Sequence, residues 1–157
     1  MRIALFPGSF DPFTIGHADI VERGLQVFDQ VIVAVGFNEQ KPGWMPVKER
    51  LESIRKLYAA DSRVSVISYT GLTADLVRHT QACCLLRGVR SVKDYEYEQQ
   101  MADINQKLCG VETVLLFTRP ELASISSSIV RELAHYGRDI SPLLSTVGKK
   151  PEGQKEQ

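Results

Sequence analysis

The stretch between residues 6 and 17 limits the possible folds more than any other part of the sequence. Residues 2–6 form a short apolar run that stops at a Pro-Gly pair, as is typical of a buried parallel strand. From Ala18 onward, apolar side chains recur at helical spacing. Glycine lets backbone N–H groups approach a ligand closely, and a helix N-terminus carries partial positive charge. The sequence therefore predicts a strand, a sharp turn and a helix that together hold a phosphate group.

Strands and helices alternate along the rest of the chain. Apolar runs predict strands at residues 2–6, 30–36, 63–68, 82–87 and 113–117. Apolar stripes predict helices from residue 18, over about 47–58, 72–79 and 126–136, and one long helix with Met101, Ile104 and Leu108 on its inner face. Because parallel crossovers are the economical connection for this pattern, we expect an α/β fold with a doubly wound, five-stranded parallel sheet of the Rossmann-like kind.

Polar blocks follow these strands at their carboxyl ends, where open α/β sheets bind ligands. We therefore expect one binding site in one domain, which spans residues 1–148. The remaining residues, 149–157, contain no apolar side chain and are predicted to be disordered.

The composition narrows the class of protein. The 19 Lys and Arg residues balance 19 Asp and Glu residues, which argues against a general nucleic-acid-binding surface. No apolar run approaches the roughly 18 residues of a membrane span. The first predicted strand begins almost at Met1, which leaves no room for a leader peptide. We therefore expect a cytoplasmic protein with neither a nucleic-acid partner nor a membrane partner.

The number and spacing of the cysteines indicate that they are reduced thiols. Cys83 and Cys84 are adjacent on a predicted buried strand, and with Cys109 the count is odd, so a disulfide framework is not indicated. Neither the spacing nor neighbouring histidines suggest a zinc site. We expect the thiols to be buried and to pack as small apolar residues.

Five blocks of the sequence form a recognisable set. They are Gly8-Ser9-Phe10-Asp11-Pro12 with Thr14-Ile15-Gly16-His17, then Lys41, Arg87-Gly88-Val89-Arg90, Tyr95-Glu96-Tyr97-Glu98 and Ile125-Ser126-Ser127-Ser128. The first block resembles the signature of nucleotidyltransferases with a (T/H)xGH motif. The whole set, in this order and in a chain this short, resembles the bacterial phosphopantetheine adenylyltransferases over about residues 1–145.

The resemblance implies a reaction. It is adenylyl transfer from ATP to 4′-phosphopantetheine, which gives dephospho-coenzyme A and pyrophosphate in coenzyme A biosynthesis. The resemblance also implies Mg²⁺ carried by the ATP phosphates without protein ligands, a homohexamer, and coenzyme A as a feedback inhibitor. A phosphate monoester with a second pKa of about 6 is already ionised at neutral pH. The site therefore needs positioning and charge neutralisation rather than a base.

The resemblance assigns roles to individual residues as well. His17, Lys41 and Arg90 are expected to be catalytic, with His17 stabilising the transition state. The acceptor is expected to contact Ser9, Lys41, Thr73 and Arg87. ATP is expected to contact Ser9, Phe10, His17, Gly88, Val89, Arg90 and Glu98, together with Leu122, Ala123, Ser124, Ile125, Ser126, Ser127 and Ser128.

Plain structural roles stay open for some of these residues. Arg87 would also suit an ion pair with a carboxylate such as Glu98. A loop lysine such as Lys41 is usually a solvated charge. The neighbouring Lys48 and Arg50 are predicted to be surface charges on a helix.

Two other functions fit the same residues. A related nucleotidyltransferase could use another phosphorylated acceptor, such as a mononucleotide or a glycerol phosphate, although Lys41 and the block 87–90 favour phosphopantetheine. A non-catalytic module that binds a nucleotide or coenzyme A could use the same fold. The intact Ser9, His17, Lys41 and Arg90 speak against that alternative.

Overall fold

The structure is a computed structural model that describes residues 1–145. The predicted end of the domain at residue 148 lies outside the described residues, as does the predicted disorder of residues 149–157. Both stay predictions.

Five strands and five α-helices alternate within residues 1–145, as the sequence predicts. The strands are β1 (Ile3–Gly8), β2 (Gln30–Gly36), β3 (Val64–Tyr69), β4 (Cys84–Val89) and β5 (Glu112–Phe117). The helices are α1 (Ile15–Gly24), α2 (Val47–Leu57), α3 (Thr73–Thr80), α4 (Val92–Cys109) and α5 (Ser127–His135). The sequence does not predict the short 3₁₀ turns Pro120–Leu122 and Ser141–Leu143. None of the helices in this part of the chain has the length and apolar character needed to cross a membrane.

All five strands are parallel and lie in the order β3-β2-β1-β4-β5, which confirms the predicted doubly wound sheet. Successive side chains of a strand point to opposite faces of a sheet. Accordingly, Phe6 and Leu86 pack in one core with residues of α1 and α2. Leu5 and Leu85 pack in the other, with residues of α3 and α4.

The pairing of β1 with its two neighbours is unequal. β1 pairs with β2 over six residue pairs but with β4 over only two, which end at Leu5–Leu85. Beyond that pair the carboxyl ends of β1 and β4 are not joined by a ladder. The strand order also changes direction at this point, which is where open α/β sheets bind ligands.

The buried face of α4 is polar, so the assignment of Ile104 and Leu108 to an inner face is wrong. Ile104 is 49% exposed and Leu108 is 45% exposed. Glu98 and Asn105, two turns apart, are buried instead. Glu98 and Asn105 face a cavity rather than the apolar core. The spacing of apolar residues therefore does not identify the buried face of α4.

Cys83 is exposed, so the expectation that the thiols are all buried is wrong. β4 begins at Cys84, and Cys83 therefore precedes the strand. Cys84 is buried and Cys109 is half-buried, and all are free thiols.

Leu86→Ala tests the core beneath α1. Leu86 is fully buried, so truncation leaves a cavity, and we expect the free energy of unfolding to fall by about 2–5 kcal/mol. The control Ile104→Ala should change it by less than about 0.5 kcal/mol, because Ile104 is exposed. Denaturant unfolding at low protein concentration measures both. A comparable loss at Ile104 would contradict its exposed position and indicate that another chain covers it.

Candidate active site

Two cavities adjoin at the carboxyl ends of β1 and β4. Their volumes are about 390 Å³ and about 310 Å³. Both are lined by Pro7, Gly8, Ser9, Arg87, Tyr97 and Glu98. Because one wall serves both cavities, ligands in the two cavities would meet at that wall.

The N-termini of α1, α4 and α5 face the larger cavity. Their N-cap residues are Thr14, Ser91 and Ser126. Thr14 and Ser126 line the cavity themselves, and α4 contributes Asp94 from its first turn. Since each helix N-terminus carries partial positive charge, their convergence favours an anionic ligand.

Aromatic packing holds the turn after β1 in a strained conformation. Phe10 has a φ of 46°, in the left-handed region that non-glycine residues rarely adopt. Its ring leaves no room for a side chain at residue 8, because a Cβ on Gly8 would lie 2.9 Å from Phe10 Cζ. The same ring is buried against Phe6 and Phe13. Phe10 can therefore offer a ligand its backbone, whereas the exposed Ser9 offers a hydroxyl as well.

His17 has a defined tautomer. The Thr14 backbone N–H donates to His17 Nδ1 at 3.0 Å, so Nδ1 is an acceptor. In the neutral imidazole the proton then resides on Nε2. The His17 backbone N–H donates in return to Thr14 Oγ1 at 3.4 Å. This reciprocal pair begins α1 and leaves Nε2–H as the donor for a ligand.

The pKa of His17 is lowered from 6.5 to about 4, first by burial and then by the positive charges of Arg87 and Arg90. The rings of Phe10 and Phe13 account for much of that burial, with centroids 5.0 Å and 5.4 Å from the imidazole. The imidazole is therefore neutral at physiological pH in the free site. It acts there as a hydrogen-bond donor and not as a cation.

The wall shared by the two cavities contains an ion pair between Arg87 and Glu98. Arg87 donates from Nε and Nη2 to the Glu98 carboxylate, at 2.9 Å and 2.7 Å, and from Nη1 to the Pro7 carbonyl. This is the ion pair that the sequence left open. A guanidinium has five N–H groups, so two remain for a phosphate oxygen. With its side chain 29% exposed, Arg87 can both pair with Glu98 and meet a ligand.

Two further arginines line the larger cavity. Arg90 Nε donates to Asp94 Oδ2 at 3.2 Å. Arg131 donates from Nη1 to the Asp11 carbonyl at 2.8 Å and from Nη2 to Ser128 Oγ at 3.2 Å. It thereby joins the turn after β1 to the first turn of α5. Sequence reasoning missed Arg131, and its position one turn after the serine cluster is the signal that could have found it.

The smaller cavity receives residues from β3, α3 and α4. Thr73, predicted to contact the acceptor, lines it, and Thr73 Oγ1 lies 3.1 Å from the Tyr69 hydroxyl. Met101 and Asn105 line it from α4. Sequence reasoning missed Tyr69, although it directly follows the predicted strand 63–68. The mixed polar and apolar lining suits a ligand that has both kinds of group.

The loop after β2 contains Lys41, and the first turns of α2 contain Lys48 and Arg50. Lys41 lies outside both cavity walls and is exposed, with its backbone N–H bonded to the Asn38 carbonyl at 3.1 Å. Arg50 is only 5% exposed, so its assignment as a surface charge is wrong. The spacing that turns Val47 and Ile54 inward places residue 50 on the same face of α2, and this was the available signal. Lys48 is exposed, as predicted.

The structure brings most of the predicted site residues together. The larger cavity is lined by Ser9, Phe10, His17, Arg87, Gly88, Arg90, Glu98, Ile125, Ser126, Ser127 and Ser128. Besides Lys41, the walls of the two cavities leave out Val89, Leu122, Ala123 and Ser124. Val89 is buried at the end of β4, and residues 122–124 lie between β5 and α5. The ligand contacts expected of all these residues stay predictions.

The donor groups around the larger cavity do not fit a resident metal ion. Within residues 1–145, no group of three or more His, Cys, Asp and Glu side chains is arranged to hold one. The carboxylates that line this cavity, Asp94 and Glu98, both bond to arginine side chains. Mg²⁺ prefers oxygen ligands and commonly binds through substrate phosphates with only one or two carboxylates.

Comparison with known proteins assigns the family. Residues 5–133 match the cytidylyltransferase-like family. The phosphopantetheine adenylyltransferase of Phocaeicola vulgatus is 53% identical over 155 residues, which cover 99% of each chain. The chain belongs to the phosphopantetheine adenylyltransferase family. The phosphopantetheine adenylyltransferase of Porphyromonas gingivalis is 57% identical over 143 residues, which cover 91% of this chain and 94% of that one.

Solved structures share the fold of this phosphopantetheine adenylyltransferase family member at low sequence identity. A bifunctional NMN adenylyltransferase/ADP ribose pyrophosphatase from Francisella tularensis superposes with a TM-score of 0.68 at 14% identity, over 91% of this chain and 44% of that one. A lipopolysaccharide core biosynthesis protein from Thermoplasma volcanium gives a TM-score of 0.56 at 19% identity, over 76% and 97%. At these identities the likeness concerns the fold alone.

His17→Gln should change how stability depends on pH. Between pH 6.5 and about pH 4 an unfolded histidine binds a proton that native His17 does not, so this group makes unfolding easier as the pH falls. The contribution of His17 to the free energy of unfolding is fully present above pH 6.5 and is lost as the pH falls toward about pH 4. From pH 7 to pH 5 the wild type should lose roughly 1–2 kcal/mol more of its free energy of unfolding than His17→Gln. Urea unfolding at both pH values measures this difference, and equal losses would contradict the lowered pKa.

Proposed function

We propose that this protein transfers the adenylyl group of ATP to 4′-phosphopantetheine, forming dephospho-coenzyme A and pyrophosphate. The names and identities of the curated relatives support this reaction. The structural observation that carries it is the wall shared by two cavities. Transfer between two phosphates requires ligands held so that their reacting ends meet, and a common wall supplies that arrangement.

The larger cavity suits ATP and the smaller cavity suits the acceptor. Helix N-termini and arginines surround the larger cavity, and both favour a polyphosphate. The smaller cavity has room and mixed polarity for the pantetheine arm along Thr73, with the acceptor phosphate beside Arg87. Arg87 then meets the acceptor phosphate while Glu98 keeps the guanidinium in place.

The acceptor phosphate acts as its own nucleophile. Its second pKa is about 6, so it is ionised at neutral pH. One of its oxygens forms a bond to the α-phosphorus of ATP as the bond to the pyrophosphate oxygen breaks, and no proton must be removed. The residues of the site therefore orient two anions and neutralise their charge.

His17 acts on the charge of the α-phosphate. Its Nε2–H can donate to a phosphate oxygen, because Nδ1 is already engaged by Thr14. A preorganised donor of this kind contributes about 2.7–4 kcal/mol when its bond strengthens in the transition state. Arg90 adds positive charge to the same cavity. Lys41 is the third residue predicted to be catalytic. In the proposed reaction, its loop brings the ammonium group to the shared wall.

The remaining expectations concern conditions and partners. Mg²⁺ enters with ATP as part of the substrate, bound to the phosphates. We place the reaction in the cytoplasm and propose a homohexamer. Coenzyme A is proposed as a feedback inhibitor, because it carries the pantetheine and adenylyl parts of the product and would occupy both cavities.

His17→Ala should lower kcat by about 10² or more while the affinity for ATP changes much less. The reason is that the Nε2–H bond to the α-phosphate strengthens as the transition state forms. Steady-state pyrophosphate release and calorimetric titration with ATP measure the two quantities. His135→Ala is the control, because His135 is exposed at the end of α5. Near-normal turnover of His17→Ala would exclude its catalytic role.

Pantetheine should not replace 4′-phosphopantetheine. The two differ in the phosphate, and the hydroxyl left behind has the high pKa of an alcohol, for which the site offers no evident base. Purified protein with ATP and Mg²⁺ should release pyrophosphate with 4′-phosphopantetheine and not detectably with pantetheine. Single-turnover measurements at saturation separate chemistry from weak binding.

A panel of phosphorylated acceptors completes that experiment. Comparable release with pantetheine would reveal a base and contradict transfer to a phosphate. Faster release with a mononucleotide or a glycerol phosphate would move the substrate assignment to that acceptor.

A further inference from the structure

Asp11 is buried in the turn after β1 and holds the loop that carries Lys41. Asp11 Oδ2 accepts the Trp44 N–H at 2.7 Å, and Oδ1 accepts the Met45 N–H at 2.8 Å. The residue is 7% exposed. Two consecutive backbone donors on one carboxylate make two charge-assisted hydrogen bonds. They fix the end of the loop between β2 and α2 to the turn after β1.

Arg50 holds the same loop from α2. It is 5% exposed and donates from Nε to the Met45 carbonyl at 3.0 Å. Its Nη1 donates to the Ser9 carbonyl at 2.8 Å and to the Gly36 carbonyl at 3.5 Å. Arg50 Nε also lies 4.0 Å from Asp11 Oδ1. One buried guanidinium thus joins the end of β2, the turn after β1 and the end of the loop.

Gly43 packs directly against this buried pair. A Cβ added to Gly43 would lie 2.6 Å from Asp11 Oδ2 and 3.0 Å from Arg50 Nη2. Such a group could not be accommodated unless the loop or the Asp11 side chain moved. The backbone two residues after Lys41 therefore lies against the Asp11 carboxylate and the Arg50 guanidinium.

We propose that Asp11 and Arg50 are positioning residues that set where Lys41 lies relative to the acceptor phosphate. The proposal rests on the proposed function, in which the loop after β2 brings the Lys41 ammonium group to the wall shared by the two cavities. Neither Asp11 nor Arg50 lines either cavity, and their side chains bond to backbone groups of the loop and of the turn after β1. A buried charge pair is also a weak source of stability, because desolvation offsets much of its attraction. Fixing the loop is the role that its hydrogen bonds indicate.

A double-mutant cycle tests this role. Asp11→Asn puts an amide NH₂ opposite one of the two backbone donors, so one bond is lost. We expect kcat/KM for 4′-phosphopantetheine to fall about 10-fold or more, and the KM for ATP to change less than about 3-fold. In a Lys41→Ala background the same substitution should lower kcat/KM by less than about 2-fold, because its effect passes through Lys41. Equal falls in both backgrounds would overturn the proposal, and so would full activity of Lys41→Ala.

Gly43→Ala provides a second perturbation that keeps both charged residues. It should reproduce the fall in kcat/KM and lose that effect in the Lys41→Ala background. Asp139→Asn is the matched control, since Asp139 also accepts a backbone N–H, from Ser141 at 3.0 Å, but lies on the surface. This control should leave the kinetics unchanged.

Hydrogen exchange separates this inference from the proposed function, because it needs no substrate. The Trp44 and Met45 amides should be protected in the wild type and should exchange at least about 10-fold faster in Asp11→Asn. Unprotected amides in the wild type would overturn the inference whatever the activity. A wild type that is inactive with 4′-phosphopantetheine but has protected amides would instead contradict the proposed function.

Discussion

The site depends on how far β1 pairs with the strands beside it. The ladder to β2 continues to the end of β1, whereas the ladder to β4 stops after two residue pairs. Had the second ladder continued, Pro7 and Arg87 would lie side by side in the sheet and the cavities would have no opening between the strands. Instead the Arg87 guanidinium bonds to the Pro7 carbonyl across the gap. Both cavities open from this early end of one ladder.

Buried polarity in the described part of the chain is concentrated around that opening. The buried polar and charged residues are Asp11, Thr14, Arg50, Glu98 and Asn105. Three of them line a cavity, and the other two fix the loop beside it. Burying such groups costs free energy unless each is bonded, so their clustering indicates that the apolar cores supply stability while this region is shaped for ligands.

The order of elements could be predicted from the sequence because apolar periodicity reports burial in an apolar core. The same rule fails where the buried partner is polar. On α4 the inward stripe contains Glu98 and Asn105, so the apolar pattern selected the exposed Ile104. Arg50 lies at an inward position of α2 but was assigned to the surface because it is charged. The motif residues of the turns could be predicted, whereas side chains that reach the site from elsewhere, such as Arg131, have no local pattern.

The reciprocal hydrogen bonds between Thr14 and His17 begin α1 and also determine which nitrogen of the His17 imidazole carries the proton. Helix ends fray, and an opening of the first turn of α1 would withdraw the Thr14 N–H from Nδ1 and release the tautomer. The imidazole would then be free to rotate and to take up a second proton. A phosphate bound at that helix end, as the proposed function requires, would oppose such opening, because it would bond to the same N-terminal turn. Ligand binding and the tautomer of His17 therefore both depend on one local equilibrium, the opening and closing of the first turn of α1.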